Sequence, residues 1–207
     1  MGRIIGLVGR AGSGKDTLAA HLVKSYGFTR RAFADPLRAA TSAITGWPVS
    51  ALEDRTFKET VDPRWGVTPR QFMQHLGTEG MRSLHREVWV TAFDVWFQKM
   101  GDSPVVVTDV RFQNEVDYLR ANNALMVRVS RPSVDNLPVL HASEYTAWEW
   151  SIKGGGDFTV YNTSTVDELA LRAREVLDLE HAKHSVPEDV IAAEKDDPAG
   201  VVLAVGA

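Results

Sequence analysis

The 207-residue chain contains no cysteine. It therefore has no disulfide framework, no thiolate metal site and no cysteine nucleophile, a composition that suits a reducing compartment. No apolar run approaches the roughly 18 residues of a membrane-spanning helix. The chain passes from Arg3 straight into a strand-like run, without the pattern of a secretory leader. A cytoplasmic protein with no membrane partner is the expectation. An excess of basic charge is missing too: 23 Lys and Arg stand against 27 Asp and Glu, a formal net charge of -4. That balance argues against holding long nucleic acid by bulk electrostatics and leaves a single nucleotide open. Also missing are the guanine-reading N-K-x-D of a GTPase switch, any internal repeat and any low-complexity tract.

What is present has the profile of a globular protein with one sizeable core, 44% hydrophobic and 24% charged. Short apolar runs alternate with helical patterns. RIIGLVG (Arg3 to Gly9), FTRRAFA (Phe28 to Ala34), SPVVVTD (Ser103 to Asp109), ALMVRVS (Ala124 to Ser130) and DFTVYN (Asp157 to Asn162) read as strands. The first is β-branched and apolar without polar alternation, as a buried parallel strand should be. Asp16 to Tyr26 reads as a helix ended by Gly27, and Asp35-Pro36 opens another, an acid before proline. A closing helix is expected over Val166 to Leu177. Strands spaced by helices predict an α/β fold, a five-stranded parallel sheet with helices on both faces and ligands at the carboxyl ends of the strands. Residues 179–207 form a charged, Ala-rich tail that is expected to be peripheral and to which no chemistry is assigned.

Gly9-Arg10-Ala11-Gly12-Ser13-Gly14-Lys15 fills G-x-x-x-x-G-K between the first strand and the first helix. Glycines let such a loop turn successive backbone N–H groups onto phosphate oxygens, the helix N-terminus adds partial positive charge, and Lys15 reaches the β- and γ-phosphates. An ordinary glycine-rich turn with a surface lysine is the alternative. The next residue is Asp16, where the motif usually has a magnesium-binding hydroxyl. Either Asp16 holds Mg²⁺ through its carboxylate, directly or through water, or it only suits the helix dipole and Thr17 supplies the hydroxyl. Asp109, directly after the VVVT strand, sits where a Walker B acid lies, or else shapes a loop.

GRAGSGKDT, FADPLR, RQFMQHLGTEGMR, VVVTDVRFQNEVDYL, the stretch from RVSRP to HASE, and VYNTSTVDEL occur in the order found in phage deoxynucleoside monophosphate kinases, which the chain resembles over residues 3 to 178. The resemblance implies a P-loop kinase fold: a domain over 1–178 with a helical acceptor-binding insertion at about 36–101 and a lid at about 131–156. It implies transfer of the ATP γ-phosphoryl group to the 5'-phosphate of a deoxynucleoside monophosphate, with Mg²⁺. Gly9, Arg10, Gly12, Ser13, Gly14, Lys15, Asp16 and Thr17 then match the ATP-phosphate site. Asn162 matches part of the adenine pocket, and Arg131 the lid arginine. Arg38, Arg82 and Arg111 match the cations on the acceptor phosphate, where a guanidinium clamps phosphate in a bidentate fork. Asp35, Phe72, Gln74 and Trp89 fall in the acceptor region; at the position of Asp35, a metal-side carboxylate by the resemblance, some family members have glycine. Trp65, Phe72 and Trp89 are candidates to stack on the base, against the default of core packing. Arg82, three residues after Glu79, has an intrahelical pair as its alternative.

The attacking oxygen belongs to the substrate's own phosphate, so no nucleophile or strong general base is required, and His75, His85 and His141 are not assigned to catalysis. Glu144 is given no contact. Other small-molecule P-loop kinases, of the dephospho-coenzyme A or phosphomevalonate type, and a non-kinase P-loop ATPase are the competing readings. A homodimer is left open.

Overall fold

The computed structural model describes residues 3–135 and 156–185. Five strands, β1 (Ile4–Val8), β2 (Thr29–Arg31), β3 (Val105–Val107), β4 (Leu125–Ser130) and β5 (Phe158–Tyr161), form one sheet in the order β2-β3-β1-β4-β5 with every pairing parallel. β1 is central, and all five of its residues are buried. Its side chains divide between two cores. Ile4 and Val8 join Phe33, Phe93, Val107 and Leu119 on one face; Ile5 and Leu7 join Leu18, Leu22, Val127 and Val176 on the other. A strand covered on both faces needs apolar residues at consecutive positions, which is why it reads as an unbroken run.

α1 (Lys15–Tyr26) follows the first loop and ends on Gly27 at φ 71°, whose N–H bonds back into the last turn. α2 (Asp35–Thr45) starts with proline in its first turn. Between β2 and β3 the chain builds a helical region from α2, α3 (Arg55–Glu59), α4 (Pro69–Gln74), a π-helix over His75–Met81, the single turn α5 (Arg82–Leu84) and α6 (Val88–Phe97). A capping box between Thr68 and Gln71 fixes the start of α4. α6 lays Trp89, Val90, Phe93 and Phe97 on the sheet, while Trp47 gathers Phe57, Trp65 and Phe72 edge-on in a separate cluster. α7 (Gln113–Ala121) links β3 to β4, and α8 (Pro132–Asp135) is a single turn after β4.

α9 runs from Val166 to Ser185, eight residues beyond the end expected from its apolar pattern. The extension is packed, not peripheral: Glu180 is fully buried and Arg3 Nη1 donates to its Oε2 at 3.3 Å. A charged residue facing another charge reads in sequence as a solvated face, so the continuation has no apolar signature. Most of the expected lid, with His141 and Glu144, and residues 186–207 of the expected tail lie outside the described residues.

Candidate active site

Two cavities open at the carboxyl ends of the strands. The first surrounds the β1–α1 loop and is lined by Gly12, Gly14, Lys15, Asp16, Thr17, Arg131 and Asn162, together with Ser164, Val166 and Leu169. Gly9 lies so close to β4 that a Cβ there would sit 2.3 Å from the Val129 carbonyl oxygen, and its φ of +153° is one that side chains rarely adopt. Gly14 has φ +106° and would meet Asn162 at 2.5 Å. Gly9 and Gly14 are thus packed more tightly than any side chain allows, the kind of close-wrapped turn that can converge backbone N–H groups on a phosphate. Lys15 Nζ donates to the carbonyls of Gly9 at 2.7 Å and Arg10 at 2.8 Å, so it is folded over the loop's own backbone. Ser13 is fully buried, and its Oγ has no hydrogen-bond partner among the described residues.

Other segments hold this loop in place. Asn162 Nδ2 donates to the Ser13 carbonyl at 2.8 Å, and its backbone N–H to the Ser130 carbonyl at 2.7 Å. Arg10 Nη1 donates to the Asp135 carbonyl at 2.9 Å, and Arg131 Nη1 to that of Gly12 at 3.3 Å. Asp16 is largely exposed and pairs with Arg30 at 3.5 Å.

The second cavity lies between α2, α4, the π-helix and the β3–α7 loop. It is lined by Arg38, Lys58, Arg70, Met73, Gln74, Gly77, Thr78, Arg82, Trp89, Asp109, Arg111, Phe112 and Glu115, with Phe33, Ala34, Leu37 and Leu52. Five cations and two acids thus face one cavity in a protein of net charge -4. Burial and the neighbouring Arg70, Arg38 and Arg111 lower the Lys58 ammonium below the usual lysine range. Like charges gathered this closely repel one another, an arrangement that an anion relieves.

Each expected acceptor residue has a definite place. Arg38, Gln74, Arg82, Trp89 and Arg111 line the second cavity. Arg38 also pairs with Asp35 at 2.7 Å; Asp35 accepts the Ala32 N–H and is not among the lining residues. Phe72 stays in the Trp47–Trp65 cluster, away from the lining, as core packing would have it. Trp89 donates Nε1–H to the Gly77 carbonyl at 3.1 Å. Arg82 does not pair with Glu79, which binds His75; its Nη2 donates instead to Glu115 at 2.5 Å, and its guanidinium stacks 3.8 Å from the Phe112 ring centre.

Asp109 lines the second cavity rather than the first, and both carboxylate oxygens accept backbone N–H groups, from Phe33 at 2.8 Å and Ala34 at 3.0 Å. It orders the turn into α2, which is the loop-shaping alternative. No cluster of three or more His, Cys, Asp or Glu suited to a metal occurs among the described residues.

Three charged residues of the second cavity escape sequence reasoning. Lys58 and Arg70 sit on two short helices without periodicity. Glu115 is 2% exposed, with its side chain turned back over the start of its own helix. Its i,i+4 spacing from Arg111 in the quoted VRFQNE block was the available signal.

Residues 48–172 match the family model described as deoxynucleotide monophosphate kinase. The chain is 33% identical over 182 residues to a protein of Acanthamoeba polyphaga mimivirus provisionally named a deoxynucleotide monophosphate kinase, covering 80% of this chain and 91% of that one. It is 26% identical over 187 residues to the deoxynucleoside-5'-monophosphate kinase of Escherichia phage T5, covering 60% of this chain and 74% of that one. Among solved structures, shikimate kinase from Aquifex aeolicus superposes with a TM-score of 0.52 at 13% identity, over 84% of this chain and 96% of that one, and carries the same fold. The chain belongs to the deoxynucleotide monophosphate kinase family.

Proposed function

We propose that the loop cavity takes ATP and the cationic cavity takes the phosphate of the acceptor. This chain is an ATP-dependent phosphotransferase that passes the γ-phosphoryl group to the 5'-phosphate of a deoxynucleoside monophosphate, giving the diphosphate and ADP. The observation that carries the division is the concentration of Arg38, Lys58, Arg70, Arg82 and Arg111 on one cavity of a net-acidic protein. The glycine-rich cradle beside it already supplies a separate phosphate site.

In the loop, backbone N–H groups bind the ATP phosphates and Lys15 leaves the Gly9 and Arg10 carbonyls to reach them. Arg131, on the loop side, neutralises charge on the transferring group. Arg38, Arg82 and Arg111 hold the acceptor phosphate so that its oxygen meets the γ-phosphorus; Trp89 and Gln74 wall the remainder of the acceptor. Positioning and charge neutralisation suffice for this chemistry.

The donor set beside Lys15 fits magnesium: the Asp16 carboxylate and the Thr17 hydroxyl are hard oxygens lining the loop cavity. An ion with one or two protein oxygens, and with phosphate and water for the rest, needs no acidic cluster. When bound, Mg²⁺ would offset the charge of the ATP phosphates. Asp109, committed to two N–H groups, is better suited to shaping the acceptor side.

A coupled ADP-release assay with Mg-ATP against dAMP, dGMP, dCMP, dTMP and their ribose counterparts tests this. Strong stimulation by one or more deoxy monophosphates is expected, lost in Lys15→Ala and Arg111→Ala. A flat panel from a folded, ATP-binding protein would redirect the search to another phosphorylated acceptor.

A further inference from the structure

We infer that Glu115 is the positioning residue of the acceptor site, holding the side chain of Arg82 and the backbone of Arg111 in register so that both guanidinium groups meet one phosphate. The inference rests on the assignment of the second cavity to the acceptor. Glu115 is buried at the start of α7 and lines that cavity. One oxygen accepts from Arg82 Nη2 at 2.5 Å; the other accepts the backbone N–H of Arg111 at 2.7 Å and of Phe112 at 3.1 Å. Arg82 arrives from α5 and Arg111 from the β3–α7 loop, two segments 29 positions apart in sequence. Glu115 binds both. Phe112, whose N–H Glu115 also holds, presents the ring on which the Arg82 guanidinium lies. Arg82 is thereby gripped at Nη2 and one face, and its Nη1 donates to the Arg86 carbonyl at 3.4 Å; Nε and the second N–H of each terminal nitrogen are left for a ligand.

The grip depends on charge, because a guanidinium–carboxylate hydrogen bond is stronger than one to a neutral amide or carboxyl. Burial, with Asp109 adding to it, pushes the Glu115 carboxyl up to about 7, against the opposing pull of Arg82 and the two N–H groups. The grip should therefore weaken on acidification through neutrality.

Glu115→Gln keeps the shape and an oxygen for the Arg111 and Phe112 N–H groups but removes the charge facing Arg82. Two readouts are taken on the full chain: KM for acceptor and for ATP as a function of pH, and binding of methyl phosphate by ³¹P NMR in a Lys15→Ala background, where the loop does not compete. The expected result is a rise of about tenfold to a hundredfold in acceptor KM with ATP KM little changed, and weaker methyl phosphate binding. The wild type should lose acceptor affinity toward the variant's level as pH falls through about 7, and the variant should lack that titration. A phosphate monoester itself gains a proton at about pH 6, so the wild-type profile is repeated with inorganic sulfate, whose charge is constant over this range; that profile carries the test even if the variant folds poorly. Methyl phosphate bound more weakly by the variant, with no monophosphate turned over by the wild type, would support the positioning and overturn the kinase assignment. Unchanged acceptor and methyl phosphate binding in a folded variant, an equal rise in both KM values, or no methyl phosphate binding by the wild type would each overturn the inference.

Discussion

Asn162 donates its side-chain N–H to the carbonyl of Ser13 at 2.8 Å, joining the end of β5 to the middle of the glycine-rich loop. The family resemblance puts this residue beside adenine, and it does line the loop cavity. Its amide nitrogen, however, is engaged with the loop backbone. Asn162→Ala should release the Ser13 peptide and raise KM for ATP by about fivefold, the effect of one hydrogen bond of about 1 kcal/mol, while acceptor KM stays within twofold. Steady-state kinetics with each substrate varied separately will decide it. Equal effects on both KM values would count against loop support.

Gly9 and Gly12 both have positive φ, but only Gly9 lies against backbone. A Cβ on Gly9 would be 2.3 Å from the Val129 carbonyl, whereas one on Gly12 would meet nothing nearer than Val134 at 3.7 Å. Gly9→Ala should cost about 2–4 kcal/mol of stability through overpacking plus backbone strain, and Gly12→Ala about 1–2 kcal/mol through strain alone. Urea denaturation midpoints will rank them. The reverse order would show that the β1–β4 contact yields more readily than its geometry implies.

The middle of the sheet was legible because β1, β3 and β4 are buried on both faces and therefore written as largely apolar runs; the edge strands β2 and β5 are less buried and carry polar residues. The loop was legible because close packing against Val129 and Asn162 admits only glycine at fixed positions. Sites assembled from distant segments were less so. Arg38, Arg82 and Arg111 come from three elements, and spacing alone cannot tell a cavity arginine from a surface one. Lys58 and Arg70 had no pattern of their own, and Glu115 had only its i,i+4 spacing from Arg111. Asp109 shows the opposite problem: acid-after-strand describes its position but not what its oxygens bind, and here they hold the Phe33 and Ala34 N–H groups.

Ending the chain at Leu177 would remove the last eight residues of α9, Glu180 among them. That deletes the Arg3–Glu180 pair at the foot of β1 and bares the apolar surface around it. A loss of about 2 kcal/mol is expected by urea unfolding, in line with breaking a partly buried charge pair. Ending it at Ser185 should leave that pair and its stability contribution intact. Equal stability of the two truncated chains would mean that α9 contributes nothing beyond its first three turns.

Glu115 also ties stability to pH, with a sign opposite to that of most carboxylates. Its folded pKa of about 7 lies above the ordinary 4.5, so the native state binds this proton more tightly than the unfolded chain does. Its stabilising contribution is complete below pH 4.5 and is lost as pH rises through 7. The unfolding free energy of the wild type should therefore fall relative to Glu115→Gln between about pH 5 and pH 8, since the glutamine has no proton to lose. Urea titrations of both proteins at half-unit pH intervals measure the difference, and a constant gap across that range would remove Glu115 as its source. The ionised carboxylate is the form that grips Arg82 hardest and also the form the fold tolerates least, so above neutral pH the acceptor site gains charge-assisted aim at the expense of stability.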